Sequence, residues 1–406
     1  MHSGIVKKNF VWNFIGVTTN SFISLFLMVI ITRINSIDEA GVFTFGFSIA
    51  CLLFTVGIYA GRTFQVTDNE NYTPLEYLFH RGICIGIMLF FSVGWLVFND
   101  YSEKKALIII LVCILKAQEA FYDTVYGVFQ NNNHLYKAGY SMFIKSILGV
   151  VGFIIIDYIT KDLVLSCLGI NVVWLSVFIV YDFRNLKKEM YDKKFYALNG
   201  IKIFLRGKFA FLFNFLLIYI ASAPKYVMDK YLTDELQAIF GIILMPATLI
   251  SLCGQYLLNP FLNEMKAKYR QKEKKAFRKI VRNMNLALYA VGGGALLAMG
   301  LIGIDIMELI YGVPLKSYSE NIYIIIVGGI LYASTMVLST ALTTMRRTFN
   351  QFLINLCVSI IALIGSHIFM RLYSIDGASI IYFIIMIIQY GGYWLVYRFN
   401  FKKEFI

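Results

Sequence analysis

Twelve apolar stretches of membrane-spanning length, joined by short loops, fill almost the whole of this chain. They fall at residues 10–32, 41–59, 82–98, 106–129, 138–158, 163–181, 209–223, 236–258, 284–304, 321–343, 349–370 and 377–397. Most approach the ~20 residues a helix needs to cross ~30 Å of hydrocarbon at 1.5 Å per residue. The composition agrees: 59% of residues are hydrophobic and 15% charged, against about 25% charged in an ordinary globular domain. The predicted fold class is therefore an all-α polytopic membrane protein of twelve transmembrane helices. Lys7 and Lys8 lead directly into a first span that lacks the short apolar region and small-residue cleavage site of a signal peptide, so that span is expected to be retained as an anchor.

Orientation follows from the 37 Lys and Arg. With twelve alternating spans and the N-terminus placed in the cytoplasm, 27 of them fall in the even loops and termini, 8 in the odd loops, and two, Lys116 and Lys145, inside spans. Cytoplasmic loops are enriched in Lys and Arg, so both termini are expected inside. The same asymmetry explains the net charge of +13, chiefly through residues 184–208 and 266–282. Basic loops beside a membrane face anionic lipid, so no nucleic-acid partner is implied. The six cysteines sit in apolar spans without paired spacing, and the four histidines show no ligand spacing. Neither a disulfide nor a metal site is expected, and no cofactor.

The longest interruption, residues 182–208, divides the chain into two sets of six helices, giving lobes at 1–195 and 196–406. A faint repeat agrees: Asp38-Glu39-Ala40-Gly41-Val42-Phe43 after the first span is echoed by Asp234-Glu235 with Ala238-Ile239-Phe240 after the seventh. Two such lobes would be related by an axis along the membrane normal, with a central cavity between them. Residues 271–283 carry Phe277, Ile280, Val281 and Met284 at helical spacing amid Lys and Arg, as expected of a helix lying along the inner leaflet. Pro246 and Gly292-Gly293-Gly294 mark either bends or close helix packing.

Ionisable groups deep in hydrocarbon cost at least ~2.5–3.5 kcal/mol each, so they face a bundle interior, a partner or a watery cavity. The fourth span holds Lys116, Glu119 and Asp123 on one helical face, and the antiparallel fifth holds Lys145. Glu119 and Lys145 lie at equal depth, roughly 12–13 Å from the inner ends of their spans, which predicts a pair. The polar stripe is extended by Gln118, Tyr122, Tyr126 and Gln130, more than helix register requires, and so points to a wet cavity. Further cations stand at span ends: Arg33, Arg62, Arg206, Lys208, Lys225 and Arg371. Turned inward, several would suit phosphate, which Arg binds bidentately and Lys as a point charge.

These residues also carry a resemblance. The order Lys7-Lys8-Asn9, Trp12, Ile31-Thr32-Arg33 and Ala40-Gly41-Val42-Phe43 resembles the opening of polysaccharide-exporting flippases, the O-antigen or Wzx-type among them, of the multidrug/oligosaccharidyl-lipid/polysaccharide exporter superfamily. Gly61-Arg62-Thr63-Phe64-Gln65-Val66-Thr67-Asp68 is similar to a stretch after the second span in one branch of that family. Lys116-Ala117-Gln118-Glu119 with Tyr122-Asp123 is similar to its fourth helix, and Ala223-Pro224-Lys225-Tyr226 with Asp229 to its turn after the seventh. The resemblance covers essentially the full length. It departs at Lys225, where many relatives carry Arg: charge is kept but the bidentate fork is lost.

The resemblance implies a non-enzymatic flippase with no catalytic residue. It would move an undecaprenyl-pyrophosphate-linked oligosaccharide from the cytoplasmic to the outer leaflet by alternating access, in a bacterial cytoplasmic (inner) membrane. The product would feed lipopolysaccharide or capsule assembly, with a polysaccharide polymerase as a further partner. On this reading Arg33, Arg62, Lys116, Lys145 and Lys225 are the cavity cations, and Glu119 and Asp123 the carboxylates linked to H+ or Na+. A cation-coupled drug antiporter of the same superfamily would share the fold but favour an acidic cavity. A membrane glycan polymerase or ligase would need a sizeable outer loop, and the odd loops are each under about twenty residues. No nucleotide-binding, metalloprotease or esterase motif is present.

Overall fold

In the computed structural model, residues 2–67, 72–190, 194–258 and 261–404 are described, and they form an all-helical chain. The helices are α1 (His2–Ile34), α2 (Ile37–Ile58), α3 (Gly61–Thr67), α4 (Pro74–Val97), α5 (Glu103–Asn131), α6 (Leu135–Thr160), α7 (Leu163–Val177) and α8 (Phe183–Glu189). After them come α9 (Ala197–Tyr231), α10 (Asp234–Ile243), α11 (Met245–Leu258), α12 (Leu262–Arg270), α13 (Lys274–Ala298), α14 (Ile304–Tyr311), α15 (Ser319–Thr344) and α16 (Thr348–Glu404). Ten helical segments among the described residues are long and apolar enough to cross a membrane. The count of twelve spans is completed in two ways. α5 is 29 residues long but carries three charges in its middle, and α16 breaks at Ser374 (φ 53°, ψ −131°) into two antiparallel spans. The chain is thus a multi-pass membrane protein.

Local chemistry sets the helix ends. Thr73 and Glu76 form a reciprocal capping box with Pro74 in the first turn, and this starts α4 eight residues before the apolar run at 82. Ser36 caps α2, Asp162 caps α7 and Thr233 caps α10. Pro246 stands just after the break between α10 and α11. Within the triple glycine, a Cβ on Gly292 would press on Ile330 of α15, whereas Gly293 and Gly294 face open space. Gly292 thus serves packing, and α13 is continuous through the run.

One expectation is corrected. Residues 274–283 do not form a separate surface helix: they are the first turns of α13, continuous with the ninth span. Phe277, Val281 and Met284 are buried, because their apolar stripe finds protein to pack against.

The chain forms two compact units, residues 1–218 and 219–406. The start of α9 lies in the first unit, where Asn199 bonds Glu76 and Tyr59 packs on Phe204 and Phe211. In the first unit α1 packs on α6, α2 and α4 on α5, and α5 and α6 on α7. In the second, α11 and α13 pack on α15, and α15 on α16. The second and third spans of each unit thus pack on its fourth.

The α1–α6 seam shows how tightly the spans approach. A Cβ on Gly16 would overlap the carbonyl of Gly139, and one on Gly139 would overlap the carbonyl of Trp12. Asn9 fixes the register of this seam, donating to the Asn133 carbonyl and accepting from the Tyr136 N–H, each at 2.9 Å. Backbone against backbone leaves no rotamer to relieve a larger residue. Gly139→Val should therefore destabilise the protein by about 1–3 kcal/mol, read as a lowered melting temperature in detergent. Gly82→Ala, inside α4 with nothing within 4 Å of the added Cβ, should not lower it.

Candidate functional site

The charges on α5 face inward as its period requires, but their partners differ from those expected. Lys116 Nζ lies 2.7 Å from Glu119 Oε2, and Asn20 of α1 donates to Glu119 Oε1 at 3.1 Å. The predicted Glu119–Lys145 ion pair does not form. Three residues along one helix bring Lys116 onto Glu119 more directly than the neighbouring helix can bring Lys145. The pair opens on a cavity of about 210 Å3 within the first unit, also lined by Asn20, Ser24, Phe47 and Trp174. Phe47 and Phe54 flank the Lys116 ammonium at 4.8 and 5.4 Å.

Lys145 is 1% exposed and sits in an aromatic box. Its ammonium lies 4.2 Å from the Tyr122 ring, 4.3 Å from Trp174 and 5.5 Å from Tyr126. Such contacts are worth up to ~2 kcal/mol when desolvated, which offsets part of the cost of a buried cation. Beyond the box, Tyr126 and Ser141 share a hydrogen bond of 2.8 Å, and Ser141 donates to Asp182 Oδ2 at 2.7 Å. The other Asp182 oxygen is buried without a hydrogen-bond partner. A π-helical segment, Phe178–Asp182, turns this carboxylate into the bundle.

Asp123 is a docking point. It accepts from the Arg62 backbone N–H at 2.8 Å, with Arg62 Nε at 3.9 Å and Arg81 Nη2 at 3.4 Å. Arg81 also donates to the Gly57 carbonyl at 2.8 Å and to the Thr124 hydroxyl. Gln65 donates to the Thr124 carbonyl at 3.2 Å and fills the notch left by Gly127. The chain turns into this cluster through left-handed residues, Tyr59 at φ 50° and Gly61 at φ 72°. Gly61, Arg62 and Gln65 of the 61–68 motif thus seat α3 on α5, while Asp68 lies outside the described residues.

The structure gathers Arg62, Lys116, Glu119, Asp123 and Lys145 in one unit. Arg33 stands exposed in the last turn of α1, and Lys225, half-buried, belongs to the second unit one residue beyond Pro224 in α9. Two members escaped the sequence reading. Arg81, only 3% exposed, lies just outside the apolar run that begins at 82, yet the Thr73-Pro74-Leu75-Glu76 capping signal places it two turns inside α4. Asp182 was read as the first loop residue, and a π turn leaves no sequence signature that would have found it. Among the described residues no group of His, Cys, Asp or Glu could hold a metal ion.

No protein-family model matches the chain. It is 23% identical over 401 residues to the capsular polysaccharide biosynthesis protein CapF of Staphylococcus aureus, covering 96% of this chain and 99% of that one. Among solved structures, the lipid II flippase MurJ in an inward closed conformation matches with a TM-score of 0.69 at 15% identity, over 97% of this chain and 90% of that one. An inward-facing multidrug resistance MATE family transporter of the MOP superfamily matches with a TM-score of 0.68 at 13% identity, over 97% and 98%. The Vibrio cholerae MATE transporter VcmN matches with a TM-score of 0.59 at 12% identity, over 99% and 98%. The chain has the fold of MATE and MurJ transporters, as the resemblance implied.

The Asp123 cluster makes a prediction about stability. Arg81→Gln and Asp123→Asn should each lower the melting temperature by leaving a charge without its partner. The double variant should cost less than their sum, with a coupling of about 0.5–3 kcal/mol. Strict additivity in the four-way melting comparison would remove the pair.

Proposed function

We propose that this protein is a flippase that carries an undecaprenyl-pyrophosphate-linked oligosaccharide from the cytoplasmic to the outer leaflet by alternating access between its two lobes, for surface polysaccharide assembly. The observation that carries this reading is the charge cluster around α5, in which Arg62, Arg81, Lys116 and Lys145 stand with Glu119, Asp123 and Asp182 and leave one cation in surplus. Pyrophosphate and glycan are too polar for hydrocarbon, and fixed cations beside water are what a pyrophosphate needs. The polysaccharide-biosynthesis name of the Staphylococcus aureus relative supports the same reading. A drug antiporter would ask for an acidic surplus.

Residue roles follow from placement. Lys116 is the substrate cation that reaches the cavity, and Lys145 a second, held in an aromatic box. Coupling to H+ or Na+ belongs to Glu119 rather than Asp123. Neutralising Glu119 would release Lys116 into the cavity, whereas Asp123 is already occupied by two arginines and a backbone N–H. Arg62 is a hinge residue of the α2–α3 turn, and Arg33 and Lys225 are end-of-span cations along the path. A polymerase would receive the product.

Two experiments test this. In a strain lacking its own exporter, supplied with two unrelated lipid-linked oligosaccharides, Lys116→Gln should weaken export of both to a similar extent, and Lys116→Arg should retain part of it. Normal export of both by a Lys116→Gln, Lys145→Gln variant at wild-type abundance would return these lysines to a structural role. For orientation, an introduced Cys at the exposed Ser317 should react with an impermeant reagent from outside, and one at the exposed Lys188 should not. The reverse pattern would invert the topology.

A further inference from the structure

The second unit carries a cleft of about 700 Å3 between α13 and the C-terminal half of α16, backed by Leu338 of α15. Lys274, Arg278 and Arg282 project from α13 at intervals of four residues, so they stack along one side of that helix. Arg398 faces them from α16, its guanidinium 5.2 Å from the ring of Trp394. Deeper in, the hydroxyls of Tyr289 and Tyr390 meet at 3.0 Å. The Tyr397 hydroxyl, also lining the cleft, is buried with no hydrogen-bond partner. Among the described residues no carboxylate lines it.

This arrangement asks for an anion. Like charges four residues apart on a helix repel, and among the described residues no acidic side chain lines the cleft to relieve them. The bias of basic residues toward one membrane face accounts for their number at this end of the unit. It does not account for four of them converging with unpaired phenol on one cleft. Guanidinium forks match phosphate oxygens bidentately, ammonium adds a point charge, and a phenol donates one more bond. The volume exceeds what a single phosphate fills. The Trp and Tyr walls are those of an interfacial site, where a polar headgroup and the start of an apolar chain meet protein together.

We propose that this cleft binds a lipid bearing two phosphates on one headgroup, at a site separate from the charged core of the first unit. Two lipids present that chemistry: a bilayer phospholipid of the cardiolipin type and a polyprenyl pyrophosphate. The inference does not rest on the transport reading.

The test uses the full-length protein in phosphatidylcholine nanodiscs supplied with cardiolipin or with undecaprenyl pyrophosphate, and lipid retention read by native mass spectrometry. The wild type should retain at least one of the two above the phosphatidylcholine background. Preference for cardiolipin identifies a bilayer phospholipid, and preference for undecaprenyl pyrophosphate identifies a polyprenyl carrier; either upholds the site. Arg278→Gln, Arg282→Gln should weaken retention roughly tenfold or more, and so should Arg398→Gln, Arg278→Gln, which removes a cation from each wall. Lys275→Gln, Lys279→Gln removes the same charge from the same helix outside the cleft and should stay within about twofold of wild type. All these side chains are exposed, so folding is retained and checked by melting temperature. Retention of neither lipid, or equal losses in the cleft and control variants, would overturn the proposal.

Discussion

The structure of the first unit depends on compensating charge where water is scarce. An ionised side chain in hydrocarbon costs several kcal/mol unless a partner or a cavity receives it. The chain meets that cost in three different ways. Lys116 and Glu119 neutralise each other along one helix and share a cavity. Asp123 gathers two arginines from separate segments and so joins α3 and α4 to α5. Among the described residues Lys145 makes no direct ion pair, and it lies against aromatic faces. The three solutions differ in how easily the charge can be recruited, which is why their proposed roles differ.

The motifs that carry the family resemblance dock helices onto one another. Asn9 fixes the register of α1 on α6, with Lys8 3.9 Å from the Tyr136 ring and Trp12 edge-on to Tyr140. Gly61 turns the chain so that Arg62 and Gln65 reach α5. Glu76 and Glu189 do similar work where the spans end. Glu76 accepts from Tyr196 and Asn199, tying the start of α9 to α4. Glu189 accepts from Asn132, His134 and Lys137, tying α8 to the α5–α6 turn. Both acids are buried, and each satisfies several donors with one carboxylate.

The two units apply one pattern of helix pairing to different electrostatics. In the first, charges lie deep and are nearly balanced. In the second, four cations line a cleft where α13 begins and α16 finishes, with aromatic walls and, among the described residues, no carboxylate lining it.

The sequence by itself determined the fold class, because the length and spacing of apolar runs leave few alternatives in a bilayer. It also determined which face of α5 carries the charges, since i, i+3 and i+7 fall on one side of any helix. Partner choice could not be read this way. Equal depth suggested Glu119 with Lys145, but pairing depends on lateral distances and rotamers that only packing sets, and packing gave Glu119 to Lys116. Arg81 and Asp182 were hidden for a related reason: hydropathy marks where apolar runs begin and end, whereas a capping box and a π turn decide how far the helix carries a polar residue beyond them. The cleft of the second unit brings together stripes from helices more than a hundred residues apart in the chain, and only the tertiary structure could place them face to face.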